Sequence, residues 1–300
     1  MLKKHLKPIL ASLIVTVTFI LLIRYLMAHP DYIDELKHIG GGWVVLILLL
    51  NTAALAMLAG ASAVLIQMTG KHIAPKENFL LTMYSSIANF LGPLQSGPGV
   101  RAAYLKTKHQ VSLRAYFLVT LLYYGIFAVM SAFLLLIGTR PWWQAVLASI
   151  AAAGASYVVI RYALSKRKKE QALLHITPQL VSLLVLFTLF QILLVGLRYY
   201  AAMHAAHDSV SLGSAMSYTG AANFALFVSI TPDGIGIREA FLYFAQGIHH
   251  VSTHTIIATN IIDRACYVLF IGLCLVFGLV MHLGSRFTAN QPTAEANDQS

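Results

Sequence analysis

The sequence predicts an all-α fold, a polytopic membrane helix bundle of about six spans plus two re-entrant hairpins in two inverted repeats. Three observations carry that expectation. Hydrophobic residues make up 58% of the 300-residue chain, charged residues only 11%, and the mean hydropathy is +0.72. A water-soluble domain carries about a quarter charged residues, so the solvent of this chain is lipid. The apolar residues come in runs of membrane-crossing length, at 9–27, 43–67, 115–138, 142–163, 179–203 and 255–283. Each approaches or exceeds the ~20 residues that cross ~30 Å of hydrocarbon as a helix. Finally, the alternating pattern of a barrel is absent, and a helix is then the way to satisfy every backbone polar group in lipid.

Taken in order, the first run follows the basic start Lys3, Lys4 and Lys7. Arg24 interrupts its end and no small-x-small cleavage site follows, so it reads as a retained signal anchor. The loop at 28–42 sets Asp31, Asp34 and Glu35 against Lys37 alone, which places the N-terminus in the cytoplasm. Lys71 and Lys76 after the second span, Lys106, Lys108 and Arg114 before the third, and the basic run at 166–169 fall on the same side. Arg140 and Arg198 are outward exceptions near span ends, where an arginine snorkels to the headgroups. The C-terminus is then expected in the cytoplasm too, after a polar, disordered tail at 284–300. Residues 1–283 form one membrane domain.

The segment at 79–94, LLTMYSSIANFLGPLQ, has basic loops on one side both before and after it, and it breaks at Gly92-Pro93. It reads as a re-entrant hairpin with a return arm from Gly99 to about Lys108. A second short apolar segment, 214–231, breaks at PDGIG and returns as Ile237 to Gly247. The two hairpins match. ANF at 88–90 pairs with ANF at 222–224, and GPGVRAAYL at 97–105 pairs with GIGIREAFL at 234–242 at five of nine positions. Each half thus runs span, span, hairpin, span, over 9–138 and 142–283, and an odd number of spans per half inverts the second copy.

The hairpin tips carry the candidate chemistry. Gly97 and Gly99, like Gly234 and Gly236, allow a tight turn that leaves a helix N-terminus open to anions. Arg101 and Arg238 sit in the first turn of those arms, with a guanidinium that forks onto phosphate. Asn89 and Asn223 precede the tips. Internal ion pairing and ordinary snorkelling are the alternative roles for these arginines. Glu239 adjoins Arg238 and has Arg101 and Arg264 as prospective partners, while Asp233 suits turn-making. Asn260, Asp263, Arg264 and Tyr267 share one face of the last span, where proton coupling, headgroup binding and a structural lock are all open. At the corresponding place the third span reads LLYYG, with Tyr123 and Tyr124 and no charge.

Other chemistry is not indicated. Cys266 and Cys274 are more than two helical turns apart and do not bridge. His204, His207, Asp208, His249, His250 and His254 crowd the outward side without a thiolate or an HExxH helix, so no metal is assigned. No phosphate loop, nucleophile elbow or paired-carboxylate motif occurs, and no cofactor or catalytic residue is assigned. The net charge of +10 suits cytoplasmic loops on anionic headgroups, and no nucleic-acid partner is expected. A homo-oligomer or membrane partner stays open.

The segments NF…GPGVRAAYLK, SITPDGIGIREAFLYF and NIIDRACYVLF resemble the lysylphosphatidylglycerol synthase transmembrane region, or flippase-like, family over roughly 10–285. The resemblance implies a multi-spanning bacterial inner-membrane protein that moves a phospholipid or lipid-linked headgroup between leaflets. It also implies that Gly234, Gly236, Arg238 and Glu239 line the cavity with Asp263 and Arg264. Two departures stand out: Gly99-Val100 precedes Arg101 where many members have an acidic residue, and Asp233 stands where glycine is common. Without the soluble aminoacyl-transfer domain of the full synthases, lipid aminoacylation is not expected. The resemblance implies a lipid flippase or transporter, and two alternatives stay open, a membrane enzyme acting on lipid-linked phosphates and a non-transporting partner subunit.

Overall fold

The computed structural model describes residues 24, 27, 39–91, 96–165, 174–207, 209–228 and 237–289, with side chains to 281. The first expected span apart from residues 24 and 27, the tip at 92–95, the basic run at 166–169, Asp208 and residues 229–236, with Asp233, Gly234 and Gly236, lie outside the described residues.

Ten helices, and no strand, occur among the described residues. They are α1 (Gly41–Met68), α2 (Pro75–Leu91), α3 (Gly97–His109), α4 (Leu113–Ile137), α5 (Trp142–Ser165), α6 (Pro178–Ala205), α7 (Leu212–Val228), α8 (Ile237–Phe244), α9 (Gln246–His249) and α10 (Thr253–Ala289). Five of them, α1, α4, α5, α6 and α10, are long and apolar enough to cross a membrane, and each overlies one of the expected apolar runs after the first. The protein is therefore an all-α, multi-pass membrane protein.

Local chemistry sets the boundaries. Pro75 opens α2 with Glu77 in its first turn, a charge that suits the helix dipole. Ser112 caps α4 by accepting from the Ala115 N–H at 3.4 Å, and Thr177, followed by Pro178, caps α6 through the Leu180 N–H at 3.3 Å. Gln110, with φ at 54°, stops α3 in the left-handed conformation.

The helices α1 and α6 make the most extensive pairing, and α4 with α5 the next. Corresponding helices pair in parallel fashion. The outgoing arm α2 packs on α10 as α7 packs on α4, and the return arm α3 packs on α4 as α8 packs on α10. Asn78 ties α2 to α1 by donating to the Ala59 carbonyl at 2.7 Å. Gly220 lets α7 meet the backbone of α4, where a Cβ would lie 2.5 Å from the Leu135 nitrogen. Helix α5 stands apart, with Ala145 as its buried residue and α4 as its main neighbour. Its outward Tyr157, Val158 and Tyr162 are exposed apolar surface of the kind lipid covers.

Candidate functional site

The arms α2 and α3 are antiparallel and tied at both ends. At the base, Glu77 Oε1 accepts from the Tyr104 hydroxyl at 2.6 Å and from Lys108 Nζ at 2.9 Å, and meets His109 Nε2 at 2.7 Å. Burial pushes the Glu77 carboxyl up, but these hydrogen bonds outweigh it and hold the group at about 2. At the other end, Asn89 Oδ1 accepts the Gly97 N–H at 2.6 Å. A Cβ at Gly97 would lie 2.6 Å from that same oxygen and would also collide with the Ser85 carbonyl, so the arms meet only because the residue is glycine.

This contact alters the expectation of an open helix N-terminus. Gly97 gives its N–H to Asn89, and Pro98 has none to give. Gly99 is exposed and faces open space. What points inward is Arg101, 8% exposed, its guanidinium hydrogen-bonded to no described residue and its Nε buried.

Arg101 lines a cavity of about 160 Å³ enclosed by α1, α2, α3, α4, α6 and the end of α7. Most of its hydroxyls are committed locally: Ser85 and Ser86 donate back to Leu81 and Thr82, and Thr120 to Tyr116. Tyr123 donates to Gln191 Oε1 at 3.1 Å. The Ser62 hydroxyl is fully buried with no partner, and the Tyr116 and Tyr124 hydroxyls have none among the described residues. The cavity thus offers a cation and three hydroxyls, and no carboxylate among the described residues lining it. A second, apolar recess of about 640 Å³ runs between α4 and α5, lined by Phe117, Leu121, Val159 and Ile160. Pro98, Thr120, Tyr124, Leu226 and Phe227 border both spaces.

The equivalent arginine of the second half is held differently. Arg238, 5% exposed, donates to Asn260 Oδ1 at 3.1 Å and to the Tyr199 hydroxyl at 3.3 Å, and lies 3.7 Å from Asp263 Oδ2. Asp263 is shared with Arg198, whose Nε sits 2.9 Å from Oδ1, although that N–H is not aligned on the oxygen. Arg198 also donates to Asn51 Oδ1 at 2.7 Å and to Asp263 Oδ2 at 3.3 Å. Arg264 donates to Glu239 Oε1 at 2.6 Å. Through these contacts Asp263 and Arg264 join α1, α6, α8 and α10, an arrangement that suits the lock among their open roles. Asn223 is drawn into packing as well, donating to Ser131 Oγ on α4 at 3.1 Å.

Of the candidate residues, Asn89, Gly97 and Arg101 therefore gather at the cavity, while Arg238, Glu239, Asp263 and Arg264 gather in the ion-pair cluster, away from the residues that line it. Arg198 does not snorkel to headgroups. It turns inward because Asp263 and Asn51 offer buried acceptors that replace water. Sequence reasoning passed over Ser62, Gln191, Arg198 and Asn51 as site residues. The last three carried a usable signal, a strongly polar residue inside a span-length apolar run. Of the outward histidines, His249 is buried in backbone bonds. Its Nδ1 accepts the Val251 N–H at 3.1 Å, so its Nε2 donates to the Leu242 carbonyl at 2.9 Å.

Comparison with known proteins adds one match. A family model described as the lysylphosphatidylglycerol synthase TM region matches residues 9–274. No curated protein matches the chain.

Proposed function

Starting from the fact that the chain belongs to the lysylphosphatidylglycerol synthase TM region family, we propose that it is a lipid flippase, moving a phospholipid or lipid-linked headgroup between leaflets. The observation that carries this reading is that a small cavity holding the buried Arg101 shares a wall, formed by Pro98, Thr120, Tyr124, Leu226 and Phe227, with an apolar recess between α4 and α5. A phospholipid has those two parts in that order. Its headgroup sits beside Arg101, Ser62 and Tyr124, and its chains lie between α4 and the lipid-exposed α5.

In this reading α2–α3 and α7–α8 are re-entrant hairpins of two inverted repeats, and the parallel pairing of α2 with α10 and α7 with α4 supports that layout. Alternating exposure follows from tilting one repeat against the other about the α1–α6 pairing. The protein lies in the bacterial inner membrane with both termini in the cytoplasm, as the lysine and arginine distribution favours. What favours transport over covalent chemistry is that Glu239 and Asp263, the carboxylates of the enzyme alternative, are paired with arginines.

The test uses purified protein in liposomes carrying a fluorescent phospholipid in the inner leaflet, followed by quenching from outside. Wild type is expected to bring the label outward well above protein-free liposomes, and Arg101→Gln to return the rate to that baseline. Wild type indistinguishable from empty liposomes, at verified protein incorporation, overturns the reading.

A further inference from the structure

We infer that the Arg101 cavity selects a small, singly anionic phosphodiester headgroup and discriminates against headgroups bearing an ammonium. This deepens the proposed function and rests on it for the lipid, although its own grounds are electrostatic.

Arg101 is more than nine-tenths buried and faces the cavity with no described partner. A buried cation without a partner is costly, and one compensating anion removes that cost. The guanidinium presents a planar fork that matches two phosphate oxygens, and the Ser62 and Tyr124 hydroxyls stand ready as further donors. A phosphodiester brings one negative charge, which leaves the occupied cavity neutral.

A second cation would find no such complement. No carboxylate occurs among the described residues of the lining. Aromatic faces are the other means of holding an ammonium, but four of the five lining rings, all except Tyr116, are engaged with one another. Tyr124 and Phe227 meet edge to face with centroids 6.0 Å apart, as do Phe127 and Phe227 at 6.0 Å and Tyr123 and Tyr124 at 5.3 Å. An ammonium would instead feel the Arg101 charge at short range. Size adds a limit: about 160 Å³ is below the ~300 Å³ at which drug-sized ligand pockets begin, so a headgroup extended by an aminoacyl ester or a sugar chain overfills it.

The experiment measures thermal stabilisation of the detergent-purified full chain by phosphatidylglycerol, phosphatidylethanolamine, lysyl-phosphatidylglycerol and inorganic phosphate, alongside liposome transport of the three lipids. Phosphatidylglycerol is expected to bind about tenfold or more tightly than the two ammonium-bearing lipids, as one charge-assisted contact warrants. Arg101→Gln should erase the difference, and Arg101→Lys should restore part of it. Equal binding of all three lipids, or the same preference in Arg101→Gln, overturns the inference. Inorganic phosphate binding as tightly as phosphatidylglycerol makes the site one for a free anion and overturns it too. Selective, Arg101-dependent binding without transport sustains the inference and removes the flippase reading, so the two fail separately. Because Arg101→Gln removes an uncompensated charge, its melting temperature without lipid should match or exceed wild type, which separates lost binding from lost folding.

Discussion

Arg101 and Arg238 occupy equivalent places in two matching stretches, GPGVRAAYL and GIGIREAFL, yet they live in opposite surroundings. Arg238 is enclosed by Asn260, Tyr199 and Asp263, and its neighbour Glu239 takes Arg264. Arg101 has an alanine where Arg238 has Glu239, and α4, which packs against its arm, supplies Tyr123 and Tyr124 where α10 supplies Asp263. The same guanidinium in the same helical turn is ion-paired where the packing helix brings a carboxylate and faces a cavity without a described partner where it brings hydroxyls. Matching stretches duplicate the position of a charge, but its surroundings are decided by what packs against each of them.

The strongest way to break that comparison is Asp263→Asn. It leaves Arg198 and Arg238 without their shared anion, and removing one partner of a buried pair costs roughly 3–5 kcal/mol. Detergent melting should show a large drop, or no folded protein at all. A melting temperature near wild type would mean that the second half is no lock.

Arg101→Gln is the counterpart, with its whole effect in function. Lipid movement should fall by about tenfold or more while the melting temperature holds or rises. A loss of stability comparable to that of Asp263→Asn would make the two halves alike.

Gly97→Ala sharpens the comparison at the tip. The added methyl meets Asn89 Oδ1 and the Ser85 carbonyl, a strain of about 1–3 kcal/mol. Faster hydrogen exchange across α2 and α3, with α10 unaffected, is the expected signature.

The smallest effect belongs to Glu77. Its folded pKa, at about 2, lies below the ordinary 4.5, so its contribution is complete above about pH 4.5 and is lost as pH falls toward 2. Partly exposed ion pairs contribute about 1 kcal/mol or less. Protection factors at the hairpin base should therefore fall as pH drops through that window in wild type, and Glu77→Gln should show the lower protection already at neutral pH.

Much of this protein was legible in its residues. Apolar runs of the length lipid demands located five of the described helices to within a few residues, because the length is set by hydrocarbon thickness and the helix by backbone hydrogen bonding. Gly97 and Arg101 stood out because turn residues and charge are costly in such surroundings. Sequence alone left the two arginines as equals, with anion binding and ion pairing open for each. Tertiary structure separated them. It brought Arg198 from α6 onto Asp263 of α10, residues 65 positions apart, and it closed Ser62, Tyr124 and Gln191 from three helices around Arg101. The reason is physical. Membrane residence is a sum over individual residues and can be read one by one, whereas the fate of a buried charge depends on which partner lies within a few ångströms, and only packing decides that.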